Sequence, residues 1–239
     1  MTGRRADAAG ADGPDRAAVS AATAAPRPAA GWRAEAAVEI QRSRFIAWAA
    51  RADSEAAARD LFAEARQRYP DARHHCTAFI VADGPGPPVS RSSDDGEPPG
   101  TAGRPMLAAL AGSGLVDVAA VVTRYFGGVK LGAGGLVRAY GGAVQLVLAD
   151  VPRVVPAARP LWRFQVGHGE AGRIAEELRR RGVTVADWAY EAAAVTLSLV
   201  FPADIDAPGL LAQIGQGAGT ATPAGWQVAE VPHDGSSLN

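Results

Sequence analysis

Residues 124–135 read RYFGGVKLGAGG, and they join two segments of different periodicity. The mostly apolar run before them, Val116 to Tyr125, predicts a strand, and the apolar residues that follow, from Leu136 to Val147, recur at helical spacing. Glycine tolerates tight turns and leaves backbone N–H groups accessible ahead of a helix. The segment therefore has two interpretations: a site for phosphate or carboxylate, or a turn that allows close packing.

The first interpretation predicts an anion or nucleic-acid site made of the turn and its flanking cations. Its residues are Arg124, Tyr125, Gly127, Gly128, Lys130, Gly132, Gly134, Gly135 and Arg138. Replacing any of the three cations with Ala is expected to weaken anion binding and leave folding almost unchanged. The segment lacks the Gly-Lys-Ser/Thr of a Walker motif, and Val137 stands where a dinucleotide fingerprint has Gly or Ala.

A second polar segment, residues 92–105, reads SSDDGEPPGTAGRP and falls in a long predicted loop from Ala82 to Gly103. We interpret it as an ordered interaction loop, because its glycine and prolines fix the backbone. Its residues are Asp94, Asp95, Gly96, Glu97, Thr101 and Arg104. A solvated loop and a hard-cation site are the alternatives. As loop carboxylates in water, Asp94 and Asp95 are expected to contribute little to stability.

A third segment places Arg73, His74 and His75 before the only cysteine, Cys76. These residue types suggest zinc or a cysteine nucleophile, but consecutive strand residues point to opposite faces and do not converge easily. Structural histidines and a buried thiol are the favoured interpretation. The sequence therefore predicts no catalytic residue, no metal and no cofactor.

Composition predicts two domains behind a polar leader. Residues 1–31 lack the apolar side chains that offset ordering entropy, so we expect a disordered, dispensable leader. Residues 32–151 form the first predicted domain, beginning with a hairpin around Gln41 and Arg42, and three prolines mark 152–160 as a linker. Residues 161–239 follow the order βαββαβ, which is typical of a ferredoxin-like domain. The expected fold class is therefore α+β.

Charge limits the possible partners. The 24 basic and 25 acidic residues leave a net charge of −1, so any contact with nucleic acid must come from a local patch. No apolar run is long enough for a membrane helix, and no signal-peptide core is visible. We expect a cytoplasmic protein without membrane contact and without DNA sequence specificity.

Several short motifs occur in one order: DGEP from Asp95, GTAG from Gly100, RYFGG from Arg124, KLG from Lys130 and GGL from Gly134. Together they resemble the YigZ/IMPACT family over about residues 43–147. The resemblance implies a first domain like the second domain of ribosomal protein S-five and domain four of elongation factor G, and a second domain like domain five of that factor. It implies a translation regulator, with the ribosome, RNA or a translation-associated protein as partner, and it supplies no catalytic residues.

Three functions follow from these features. The leading hypothesis is a non-enzymatic, translation-associated regulator that binds through the Gly-rich basic turn and the acidic loop. The second is a small hydrolase, peptidase-like or phosphatase-like, that uses the acidic loop and the histidines. The third is a protein-interaction module that does not contact nucleic acid.

Overall fold

The computed structural model describes residues 25–82, 84 and 86–233. Within them the chain separates into two units, one containing residues 25–155 with 232–233 and the other containing 156–231. Both units combine helices with antiparallel strands, which confirms the predicted α+β fold class. None of the helices described is long and apolar enough to cross a bilayer. The first 24 residues of the predicted leader lie outside the described residues.

The larger unit is built on a sheet in which β2, β3, β6, β4 and β5 are neighbours in that order. The strands are β2 (Arg33–Ile40), β3 (Ser43–Arg51), β4 (His74–Val81), β5 (Val89–Ser93) and β6 (Val118–Tyr125). The predicted hairpin is confirmed: Ile40 pairs with Ser43, and the two turn residues, Gln41 and Arg42, have φ of 48° and 66°. Two consecutive positive φ angles are typical of the tight turns that match strand twist.

Three helices cover this sheet: α1 (Glu55–Arg68), α2 (Gly103–Gly112) and α3 (Gly132–Val147). Alternate residues of β3 point to opposite faces, so Phe45 and Ala47 pack with α2 and α3, whereas Ile46 and Trp48 pack with α1. Helix α1 begins after the cap residue Ser54, whose hydroxyl accepts the Ala57 N–H at 3.1 Å. The sheet therefore has an apolar core on each face.

The smaller unit has the predicted βαββαβ order. It comprises β7 (Arg153–Val166), α4 (His168–Arg180), β8 (Thr184–Tyr190), β9 (Val195–Val200), α5 (Ala207–Gly215) and β10 (Gly219–Pro232). The strands lie in the order β10, β7, β9, β8. Helix α4 buries Ala171, Ile174, Ala175 and Leu178, which recur three or four residues apart as on one helix face.

The structure corrects two boundaries. Residues 153–160, part of the expected linker, belong to β7, and the Pro160 carbonyl accepts the Phe201 N–H at 2.9 Å. Proline has no backbone N–H, so it is compatible with a strand at positions where that N–H would not donate to a neighbouring strand. The expected loop from Ala82 to Gly103 contains the edge strand β5, whose five residues are all exposed and therefore show no core-facing pattern.

The disorder expected for the leader is also wrong for its last residues. Strand β1 (Arg27–Pro28) pairs with residues 153–154, and the Pro26 carbonyl accepts the Val116 N–H at 3.0 Å. Arg27 forms a 2.8 Å ion pair with Asp117, a carboxylate that is almost fully buried. Residues 26–29 are therefore part of the larger unit.

Two truncations distinguish the contribution of residues 25–30 to stability from that of residues 1–24. We expect a chain lacking residues 1–30 to be less stable than one lacking residues 1–24 by about 2–4 kcal/mol, because losing Arg27 leaves the buried Asp117 charge without its cation. Urea unfolding of the two truncated chains and the full chain measures the difference. Equal midpoints for both truncations would contradict a structural role for Arg27.

Candidate functional site

The candidate site is a cleft of about 610 Å³ in the larger unit, where β6 ends and a turn leads into α3. It is lined by Asp71, Arg73, His74, Glu97, Pro98, Arg124, Tyr125, Phe126, Lys130, Leu131, Gly132, Ala133 and Leu136. The structure therefore brings residues from all three polar segments of the sequence together at one place.

The first turn of α3 opens onto this cleft. The helix begins at Gly132, four residues before the expected start, and its cap residue Leu131 makes no side-chain hydrogen bond. Its first turn contains no acidic residue, and Gly132 and Ala133 are exposed. The first N–H groups of a helix lack intrahelical acceptors and carry the positive end of the helix dipole. The cleft wall at this point favours an anion.

The glycines also serve packing, so both interpretations of the turn apply. A Cβ on Gly127 would lie 1.9 Å from the Arg42 carbonyl oxygen, which leaves room only for glycine. Gly128 and Gly132 have φ of 85° and 71°, in the left-handed region that other residues avoid. This backbone carries the chain past the hairpin and leaves the start of α3 exposed.

Arg124 is the residue whose placement differs most from expectation. Its side chain is only 7% exposed and pairs at 2.7 Å with Glu97, whose side chain is 3% exposed. The same Glu97 oxygen accepts the Tyr140 hydroxyl at 2.7 Å, and Arg124 also donates to the Ser43 hydroxyl at 3.4 Å. Contrary to the expectation from the sequence, we now expect replacement of Arg124 to destabilise the fold, because the substitution leaves a buried carboxylate without its cation.

The accessible positive charge comes from other side chains. Lys130 and Arg73 are exposed and line the cleft, whereas Arg138 is exposed on α3 outside the lining. Arg138 extends back toward the helix start, because its guanidinium lies 3.7 Å from the point where a Cβ on Gly134 would be. Arg73 was placed in a different segment by sequence reasoning.

Asp94 organises the acidic loop from within. Its carboxylate accepts the N–H groups of Gly100, Ala102 and Gly103 at 2.8, 3.0 and 2.8 Å. Burial opposes ionisation, but these three donors prevail and lower the pKa of the Asp94 carboxyl. Ala102 and Gly103 are the cap and the first residue of α2, so Asp94 accepts hydrogen bonds from N–H groups at the start of that helix.

Asp95 ties the loop to the sheet and to α1. Its carboxylate accepts the His75 N–H at 2.6 Å and pairs with Arg66 at 2.9 Å, while its carbonyl oxygen lies 2.9 Å from His74 Nδ1. Burial opposes ionisation of Asp95 as well, but the Arg66 and His75 bonds lower its pKa. A Cβ on Gly96 would lie 3.5 Å from His74 Nδ1, so the loop passes close to that ring. The expectation that the loop carboxylates are solvated is therefore wrong.

The remaining predicted loop residues play smaller parts. The Thr101 hydroxyl donates to the Pro98 carbonyl at 2.7 Å and closes the turn before α2. Arg104 is exposed on the first turn of α2. Whether the loop contacts a partner stays a prediction.

The side chains of His75 and Cys76 are buried. Burial raises the pKa of the Cys76 thiol to about 12, so the group is protonated at neutral pH. Burial, together with Arg66, lowers the pKa of His75, whose Nδ1 lies 3.0 Å from the Thr123 hydroxyl. Within the part of the chain that the structure describes, no group of three or more His, Cys, Asp or Glu side chains is placed to hold a metal.

Sequence reasoning missed Ser43, Tyr140 and Phe126. Ser43 and Tyr140 lie 81 residues before and 16 residues after Arg124, and no local pattern links such distant positions. Phe126 stands inside the quoted motif but is not among the predicted site residues, although its side chain is 56% exposed. An aromatic residue between an arginine and a glycine turn is the signal that was available.

A double-mutant cycle tests the buried pair. Arg124→Met should cost about 3–5 kcal/mol, because it leaves the Glu97 carboxylate buried without its cation. Adding Glu97→Gln should recover part of that loss, since a neutral amide still accepts the Tyr140 hydroxyl. Urea unfolding of the two single variants and the double variant measures the coupling. Strictly additive losses would contradict a direct pair.

Asp94→Asn tests the loop. The amide places a donor against the Gly100 N–H, so the variant should be less stable at pH 7 by about 1–2 kcal/mol. Because the folded pKa of Asp94 is lowered, its contribution is present above the ordinary value of 3.8 and is lost as the pH falls below it. The difference from the unsubstituted chain should therefore shrink in acid.

Asp60→Asn, at an exposed position on α1, serves as the control for this experiment. Thermal unfolding at several pH values compares the two variants. A loss for Asp94→Asn that stays constant down to pH 2.5 would exclude the carboxylate as its source.

Comparisons with known proteins cover the part of the chain that contains this cleft. The Impact N-terminal domain model matches residues 41–148. An IMPACT family member of Thermus thermophilus is 46% identical over 167 residues, covering 68% of this chain and 86% of that protein. IMPACT family member YigZ of Escherichia coli is 51% identical over 113 residues, covering 47% of this chain and 55% of YigZ.

A solved structure supports the fold. A crystal structure described as that of a hypothetical protein has 36% sequence identity and a TM-score of 0.52, covering 82% of this chain and 95% of that chain.

Proposed function

Because the chain belongs to the IMPACT family, we propose that it is a translation-associated regulator that acts by binding RNA, and that the cleft at the start of α3 receives the RNA backbone. The family resemblance implies the role in translation, and the chemistry of the cleft favours RNA as the ligand. Phosphate is one of the anions that helix N-termini bind, and nearby cations strengthen that binding.

The observation that carries the proposal is a contrast between two helix starts in one unit. The start of α2 is closed, since Asp94 accepts its first N–H groups. The start of α3 has neither a side-chain cap nor an acidic residue in its first turn, and it faces the cleft. Lys130 stands beside these open donors, where it can neutralise a second phosphate oxygen.

The electrostatic balance of the cleft supports an anionic ligand. Arg73, Arg124 and Lys130 line it together with Asp71 and Glu97, so three formal positive charges face two negative ones. Glu97 is already paired with Arg124, and Asp71 accepts the Tyr125 hydroxyl at 2.7 Å. The exposed cations Arg73 and Lys130 therefore share the cleft with the open helix start and with one exposed carboxylate, that of Asp71.

The hydrolase alternative lacks support from the geometry. It would use the acidic loop and the histidines, but the loop carboxylates are already engaged: Asp94 accepts three backbone N–H groups, and Asp95 pairs with Arg66 and accepts the His75 N–H. His74 holds Asp95, and His75 is buried against Thr123. These contacts fix the segment in a structural role.

Lys130→Ala tests the proposal. The variant should bind single-stranded RNA more weakly, and the slope of log affinity against log salt should become shallower by about 0.7, the value for one lost phosphate contact. Fluorescence anisotropy over a range of salt concentrations measures both. Arg59→Ala is the matched control, because Arg59 is an exposed cation on α1 away from the cleft lining.

Two results would count against the proposal. RNA binding with the same salt slope in Lys130→Ala as in the unsubstituted chain would place the RNA elsewhere. If Lys130→Ala and Arg59→Ala lost RNA affinity equally, the RNA would be attracted by the overall charge of the protein and not by a site at the cleft.

A further inference from the structure

Phe126 is an aromatic ring at the mouth of the cleft that the fold leaves uncovered. It is 56% exposed, whereas Phe45 and Tyr140 are fully buried in the core of the same unit. It lines the cleft together with the first residues of α3. An exposed ring beside an anion site presents two kinds of contact to a single ligand: a flat apolar face and donors for negative charge.

The ring is held in place from one side. The guanidinium carbon of Arg124 lies 5.6 Å from the Phe126 ring centroid and 5.4 Å from that of Phe45. Arg124 is in turn fixed by Glu97, and its Nε, almost fully buried, has no hydrogen-bond partner among the residues described. One face of the Phe126 ring is thus supported by a cation in a fixed position.

The cleft can accommodate a ring as well as a phosphate. Pro98, Leu131 and Leu136 add apolar surface to its walls, so the lining is not purely polar. Its volume of about 610 Å³ lies within the range of small-molecule sites.

We propose that the cleft binds one unpaired nucleotide of an RNA strand, with its base stacked on Phe126 and its phosphate at the start of α3 beside Lys130. This inference rests on the proposed function and specifies that the bound RNA is single-stranded. Bases in a duplex are stacked on each other and present no free face, whereas an unpaired base can stack on an aromatic side chain. Any base can stack on an aromatic ring, so the site would distinguish unpaired from paired RNA and would not select a base sequence.

The experiment compares two substitutions of one residue on the full chain. Phe126→Leu keeps an apolar side chain and removes the aromatic face, whereas Phe126→Tyr keeps the face. The probes are an unpaired RNA octamer, the same octamer with a central abasic site, and a duplex of the same sequence. Leu146→Ala, at a 50% exposed apolar position on α3 outside the cleft lining, is the control for loss of surface apolar area.

We expect Phe126→Leu to weaken binding of the octamer about tenfold, a loss within the range measured for one base stacked on an aromatic ring. Phe126→Tyr and Leu146→Ala should bind like the unsubstituted chain. The abasic octamer should bind more weakly than the intact one, and the duplex should be insensitive to Phe126→Leu. Thermal melting should show the same midpoint for all variants, since Phe126 is exposed.

The outcomes distinguish this inference from the proposed function. If Lys130→Ala weakens RNA binding while Phe126→Leu does not, or if duplex and octamer lose equally in Phe126→Leu, the phosphate site stands and the unpaired nucleotide is overturned. If the chain binds none of the RNA probes at low salt, both proposals are overturned.

Discussion

The carboxylate of Glu97 joins three stretches of chain that are far apart in the sequence. It comes from the loop before α2 and accepts hydrogen bonds at 2.7 Å from Arg124 at the end of β6 and from Tyr140 on α3. Removing a carboxylate from water costs several kcal/mol, so the arrangement is stable only while both donors are in place. Glu97 thereby sets the position of the loop, the sheet and the helix relative to one another within the larger unit, and the cleft lies among them.

This pairing divides the charged residues of the site by role. Arg124 is occupied on one side by Glu97 and Ser43 and on the other by the rings of Phe45 and Phe126, so it works as part of the scaffold. Lys130 and Arg73 remain exposed at the cleft. The carboxylates of Asp94 and Asp95 likewise form hydrogen bonds and an ion pair within the protein. The charged side chains of the motifs thus mainly build the cleft, and only a few are left to meet a ligand.

The sequence predicted the features that depend on neighbours along the chain. Periodicity found the hairpin around Gln41 and the βαββαβ order, and the motifs around Arg124 found the family, which the relatives confirm. It failed where a partner is distant: the bond from Arg124 to Ser43 spans 81 residues and that from Tyr140 to Glu97 spans 43. Only the first part of β7, residues 153–160, was missed, because its prolines suggested a linker. A proline removes one N–H donor from a strand and still allows the carbonyl oxygen to accept a hydrogen bond.

Because the net charge is −1, the protein as a whole does not attract RNA, and binding depends on local features such as the open helix start. A protein with a diffuse basic surface attracts RNA everywhere, whereas a nearly neutral one can hold it only where local charges and donors converge. Two exposed cations and one helix start supply few phosphate contacts, so electrostatics alone yields modest affinity at physiological salt. A stacked base adds a contact that salt does not screen. In the proposed site, the exposed Phe126 beside that helix start is therefore the feature that favours an unpaired strand over a duplex, although the duplex has the higher charge density.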